Sequence, residues 1–200
     1  MQPMTTLLLI RHGMTDAVGR RLTGRLAGVR LNEQGEREVA AMADRLRDVP
    51  LAAVYASPLE RTLETARAVA AARQLEVIPR EALIESDFGD WTGRTLVELD
   101  PDLGWQRFNR NRSGTAPPAG EHMSVIQARM ASELIRIRDE HPDQTVAVVS
   151  HADPLRAVLC LFLGMSVDFM QRFELSTASV SVLRLTADSV NLLKLNDTGS

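Results

Sequence analysis

Hydrophobic and polar positions follow two alternating periods along the chain. Short, nearly unbroken apolar runs at 7–10, 52–57, 75–79 and 145–150 read as strands. The run Thr145-Val146-Ala147-Val148-Val149-Ser150 has the pattern of a parallel strand covered on both faces. Between these runs the period becomes helical. Val39, Met42, Ala43 and Leu46 fall on one face behind Asn32, a fitting N-cap, and Met123, Ile126, Met130, Leu134 and Ile137 form a longer stripe. Ser57, Pro58 and Glu60 read as cap, first helical residue and capping-box partner, and Pro154 as the start of a helix reaching about residue 163. The apolar alternations at 179–185 and 190–195 flank the turn Thr186-Ala187-Asp188-Ser189 and predict an antiparallel hairpin at a sheet edge. Residues 83–120 are less regular. They hold both tryptophans and five glycines from Gly89 to Gly120, which predicts short helices and loops covering one edge in a lid-like segment. No repeat or linker interrupts the pattern, so a single domain over 1–200 is expected. The strand–helix alternation predicts a three-layer α/β/α sandwich with a mostly parallel central sheet and an antiparallel edge.

Composition narrows the class. The chain has 200 residues, 44% of them apolar and 24% charged, which is ordinary globular usage. A net charge of −3 lacks the basic excess of a nucleic-acid binder. No apolar run approaches membrane-spanning length, and no basic segment precedes the first one, so neither a membrane anchor nor a signal peptide is expected. The single cysteine, Cys160, precludes an internal disulfide and fits a cytoplasmic location; its apolar neighbours mark it as a packing residue. A homodimer is compatible with these features, which do not fix oligomeric state.

The polar residues at three strand ends change the picture. The first apolar run ends at Arg11-His12-Gly13, the second at Ser57 with Arg61 one helical turn later, and the third at Ser150-His151 with Asp153 and Pro154 following. In an open parallel sheet these carboxyl ends line one edge, where ligands bind. Two arginines and two histidines should therefore converge beside helix N-termini, whose free N–H groups and positive dipole ends favour a phosphate-sized anion. The active site is thus expected at the strand C-terminal ends.

Four segments carry a resemblance. Leu9-Ile10-Arg11-His12-Gly13-Met14-Thr15, Ser57-Pro58-Leu59-Glu60-Arg61-Thr62, the segment from Leu83 through Glu85 to Gly93, and Val148-Val149-Ser150-His151 occur in order. Together they resemble the histidine phosphatase superfamily, in its phosphoglycerate mutase-like and α-ribazole phosphatase-like branch. The resemblance implies that His12 is a nucleophile forming a phosphohistidine, that Arg11 and Arg61 hold the phosphoryl oxygens, and that His151, protonated beside the phosphate, adds a donor. It also implies that Glu85 supplies the leaving group's proton, although Asp87 and Asp90 lie close enough to compete for that role. Thr23 and Gly24 match a loop that contacts phosphate or substrate, and Ala152 replaces a common glycine while retaining its backbone N–H. Asp153 is expected to turn away as a helix N-cap. Val18 stands where many members have a phosphate-binding asparagine. His122 stands near the place of a small hydroxyl residue, and His141 reads as a helix C-terminal residue.

The function so implied is a metal-independent phosphomonoester phosphatase acting on a small phosphorylated metabolite. No cofactor is implied, and no metal-ligand spacing occurs among the four histidines. Two alternatives stay open on sequence: a phosphoglycerate mutase-type phosphoryl transfer, and a non-catalytic phospho-ligand sensor. The modest stretch between Glu85 and His151 favours hydrolysis, and the intact set of histidines, arginines and glutamate disfavours the sensor.

Overall fold

The computed structural model describes residues 3–199. Six strands form one sheet: β1 (Thr5–Arg11), β2 (Ala53–Ala56), β3 (Val77–Pro79), β4 (Thr145–Ser150), β5 (Val180–Leu185) and β6 (Val190–Asp197). Their spatial order is β3-β2-β4-β1-β5-β6. The first four are mutually parallel, while β5 runs antiparallel to both β1 and β6, which makes the expected antiparallel edge.

Alternation along the strands sorts the core into two layers. Leu7 and Leu9 of β1, Tyr55 of β2, and Val146 and Val148 of β4 face α5 (Met123–Glu140), α6 (Ala152–Phe162) and the 83–120 segment. Leu8, Ile10, Val54, Ala147 and Val149 point the other way, onto α1 (Glu33–Arg45) and α2 (Glu60–Ala71). Both faces are dry, as the apolar runs require. All five stripe residues of α5 are buried, and Asn32 caps α1 by accepting from the Gly35 N–H. The 83–120 segment contains α3 (Leu96–Leu99) and α4 (Leu103–Arg110), with Trp91, Trp105 and Phe108 in mutual ring contact against the sheet.

Two helix starts differ from expectation. α2 begins only at Glu60, and Leu59 occupies the cap position without a side-chain bond, so Ser57 and Glu60 make no capping box. Ser57 instead turns its hydroxyl toward His151, and Glu60 accepts from the Gly28 N–H. α6 starts earlier, at Ala152 with His151 in the cap position, so Asp153 lies inside the first turn and is no cap. One glycine is needed for close approach: a Cβ on Gly35 would stand 2.1 Å from the Met14 carbonyl oxygen, so only glycine lets α1 abut the chain leaving β1.

Candidate active site

The pairing of β1 with β4 sets the site. Arg11 lies opposite Ser150, and the His12 N–H donates to the Ser150 carbonyl at 3.1 Å, so His12 and His151 leave the sheet side by side. Their rings meet edge-on with centroids 5.2 Å apart, and both are buried. Arg61 reaches the same place from the first turn of α2 and is only 1% exposed.

Each side chain is held by a particular partner. His12 Nδ1 lies 2.8 Å from the carbonyl oxygen of Gly13. A carbonyl only accepts, so Nδ1 carries the hydrogen and Nε2 keeps its lone pair. The Gly13 N–H donates to Thr65 Oγ1, which in turn donates to the Arg61 carbonyl, tying the loop after β1 to α2. Arg11 donates through Nη1 to the Leu175 carbonyl at 2.7 Å, and Arg61 through Nη2 to the Gly24 carbonyl at 2.9 Å. Arg11 Nε, Arg61 Nη1 and His151 Nδ1 are buried with no partner in the protein. A buried polar nitrogen left unpaired is costly, so these three atoms are suited to meeting a partner from outside the chain.

Burial and the two guanidiniums, Arg61 ahead of Arg11, hold the His12 imidazole well below its ordinary pKa, so it is neutral at neutral pH. His151 is likewise lowered by burial, then by Arg61 and His12. It is therefore neutral before any anion binds. Its Nε2 lies 2.8 Å from Ser57 Oγ. Its other ring nitrogen, Nδ1, lies 3.9 Å from Glu85 Oε2.

Of the three candidate carboxyls, Glu85 is the one beside the histidines. Its Oε1 accepts from the Ser86 N–H at 2.8 Å. Burial, then the negative charge of Asp153, raises it from 4.5 to about 7, with Arg61, the Ser86 N–H and Arg11 pulling the other way. Asp87 instead accepts from the Gly89 N–H and faces Arg25, and Asp90 is exposed.

The remaining predicted residues take varied places. Gly24 contributes its carbonyl to Arg61 and has φ +49°, a backbone region that favours glycine. The Thr23 carbonyl accepts from Leu26, within the same loop. Ala152 is the first residue of α6, a helix whose N-terminus has no side-chain cap. His122 is exposed at the start of α5, and His141 closes that helix with Nε2 2.9 Å from the Tyr55 hydroxyl. Cys160 is fully buried. Among the described residues no group of three or more His, Cys, Asp or Glu side chains is arranged to hold a metal ion, and no helix is long and apolar enough to cross a membrane.

Sequence reading missed the second layer. Arg112, 4% exposed, donates to Asp153 at 2.7 Å and to Asn109 while lying over the Phe108 ring at 4.4 Å. Asp153 thus ties α6 to the 83–120 segment. Its position two residues after His151 was a signal, but nothing in the sequence paired it with Arg112.

Comparison with known proteins places the whole chain in one family. Residues 7–198 match the family model described as histidine phosphatase superfamily (branch 1). The chain is 39% identical over 201 residues to the bifunctional protein Rv2228c of Mycobacterium tuberculosis, covering 98% of this chain and 54% of that protein. The chain therefore spans about half the length of that relative. It is 33% identical over 200 residues to phosphoserine phosphatase 1 of Hydrogenobacter thermophilus, covering 98% of this chain and 93% of that one. Bacillus stearothermophilus YhfR superposes with a TM-score of 0.90 at 30% identity, over 96% of this chain and 97% of its own. Paired histidines at the ends of β1 and β4, with Glu85 beside His151, are set in a fold shared along nearly the whole sequence, and the chain belongs to the histidine phosphatase superfamily, branch 1.

Proposed function

We propose that the chain hydrolyses phosphomonoesters of small phosphorylated metabolites through a phosphohistidine on His12. The observation that carries this reading is the bond from His12 Nδ1 to the Gly13 carbonyl, which aims the Nε2 lone pair into the site on a ring kept neutral by its surroundings. In the first step Nε2 attacks phosphorus, the P–O ester bond breaks, and the departing alkoxide takes the proton of Glu85. In the second, water attacks the phosphoryl group, returns a proton to the Glu85 carboxylate, and the N–P bond breaks. A carboxyl near 7 suits both the giving and the taking of that proton.

Arg11 and Arg61 spread the phosphoryl charge over fixed N–H donors, and the Ala152 N–H at the start of α6 adds a further one. This charge neutralisation needs no metal. Thr23 and Gly24 line the entrance, and the 83–120 segment serves as a cap that sets which ester is admitted. A relative named phosphoserine phosphatase supports a small, polar substrate.

The test is phosphate release from a panel of monoesters with EDTA present, alongside His12→Ala and acid-quench capture of the phosphoenzyme. Chelator-insensitive turnover and a trapped phosphoryl group, both absent in the variant, are expected. Turnover that survives His12→Ala, or phosphoryl transfer to a second sugar acid without release of phosphate, would overturn the proposal.

A further inference from the structure

Glu85 sits in a stretch with no regular structure between a 3-10 turn, Glu81–Leu83, and another, Gly89–Trp91. Such a stretch must find backbone partners outside itself. The partners of Glu85 are unusual. Its carbonyl oxygen accepts from two guanidiniums, Arg25 Nε at 3.0 Å and Arg129 Nη2 at 3.3 Å. One carboxylate, Glu121, bridges the same two arginines: Oε1 accepts from Arg129 Nε at 3.0 Å, and Oε2 from Arg25 Nη2 at 2.9 Å and Arg129 Nη2 at 3.2 Å. Arg129 also donates to the Ala82 carbonyl at 2.7 Å, and the Glu121 N–H donates to the Asp87 carbonyl at 2.9 Å. Two parts of the chain, the loop carrying Arg25 and the second turn of α5 carrying Arg129, therefore converge on one backbone oxygen, and Glu121, just before α5, ties the two arginines together.

We propose that Arg129, Glu121 and Arg25 form a clamp that positions the Glu85 carboxyl for proton transfer, with Arg129 as its principal positioning residue. The inference rests on the reading of Glu85 as the general acid. Its geometric force comes from adjacent residues: the Gly24 carbonyl holds Arg61 while Arg25, next in sequence, holds Glu85. The clamp thereby fixes the separation between a phosphoryl-holding guanidinium and the acid. Arg129 and Glu121 are largely shielded, with side chains 16% and 12% exposed, so their bonds meet little competition from water. Neither residue is placed to touch the phosphoryl group through these bonds. Their effect is on where the proton stands, and small misplacements of a catalytic group cost up to about a hundredfold in rate.

The experiment compares Arg129→Gln, Arg25→Gln and Glu85→Gln on an alkyl monoester and on p-nitrophenyl phosphate, whose leaving group hardly needs a proton. Each arginine variant leaves Glu121 paired with the other arginine, which keeps the fold; thermal melting checks this. In Arg129→Gln the alkyl-to-aryl ratio of kcat/KM should fall about tenfold, and guanidinium ion added to the assay should restore part of it. Arg25→Gln should shift the ratio the same way by less. A general loss of structure would lower both substrates together and leave the ratio unmoved. If Glu85→Gln lowers the ratio and both arginine variants leave it unchanged, the clamp is refuted while the acid stands. If Glu85→Gln itself leaves the ratio unchanged, the general-acid reading fails and the clamp with it.

Discussion

His151 Nε2 lies 2.8 Å from the hydroxyl of Ser57, a bond between the ends of β4 and β2 across the floor of the site. Parallel pairing of these strands, with Ala56 opposite Val149, brings the two residues to the same rim. Both are fully buried, so the bond is shielded from water, and Ser57 is the partner that holds the ring in place.

Removing that hydroxyl should loosen His151 without touching His12. A buried nitrogen left unsatisfied costs about 1–3 kcal/mol, which corresponds to roughly a tenfold to hundredfold effect if it falls on the transition state. Ser57→Ala is expected to lower kcat/KM for p-nitrophenyl phosphate by about tenfold while the phosphoenzyme still forms. Steady-state kinetics with acid-quench trapping measures both, and a variant as active as the parent would remove Ser57 from the account.

The carboxyl of Glu85 predicts a pH profile. It is raised to about 7, so its protonated fraction declines as pH rises through that value. For alkyl monoesters kcat/KM should fall on the alkaline side of about pH 7. Glu85→Gln should be slow throughout and lack this limb, and aryl esters should show it only weakly. A limb that persists in Glu85→Gln would assign the titration to another group.

Much of this was legible in the sequence because it depends on local pattern. The strand 145–150 was readable residue for residue, since a fully buried parallel strand leaves an unbroken apolar run, and its terminal Ser150-His151 could only emerge at the rim. The Asn32 cap and the buried stripe of α5 are likewise set by spacing. What failed was the role of polar residues whose partners are distant in sequence. Ser57 and Glu60 fit a capping box, yet His151 and Gly28 claimed them. Asp153 fits an N-cap, yet Arg112 from the irregular segment claimed it. The local preference in each case is worth about 1 kcal/mol, and for Ser57 and Asp153 a shielded tertiary bond outweighs it. Similarly, nothing in the spacing of Arg25, Glu121 and Arg129 indicated that the two arginines meet at the Glu85 carbonyl with Glu121 bridging them.

Stability should also depend on pH in a defined sense. In the folded chain His12 and His151 titrate well below their ordinary 6.5. The unfolded chain therefore takes up protons first, and the histidines' contribution is complete above about pH 6.5 and lost as pH falls below it. Glu85 acts oppositely: raised from 4.5 to about 7, it favours the folded state most below pH 4.5, and that contribution disappears as pH rises through 7. Above that pH a largely buried carboxylate is a liability of about 3 kcal/mol. Glu85→Gln should accordingly be more stable than the parent at pH 8, by on the order of 1–3 kcal/mol, with the difference shrinking toward pH 5. Denaturant melts at the two pH values test this, and an equal difference at both would contradict it.

The ion pair between Arg112 and Asp153 joins stability to catalysis, and the two partners should separate the effects by sign. Both side chains are mostly buried, at 5% and 16% exposed, so removing either strands the other charge in a poorly solvated place. Loss of about 3 kcal/mol is expected for Asp153→Asn and for Arg112→Met alike. Their effects on the acid should diverge. Asp153 is the nearby negative charge that helps to raise Glu85. Asp153→Asn removes that charge, so the alkaline limb of the alkyl-ester profile should move to lower pH. Arg112→Met leaves Asp153 uncompensated, so the limb should move to higher pH. Because a general weakening of the fold would displace both profiles in the same direction, opposite displacements at similar loss of stability identify Asp153 as the charge that tunes the acid, and displacement in one direction for both variants would reject that role.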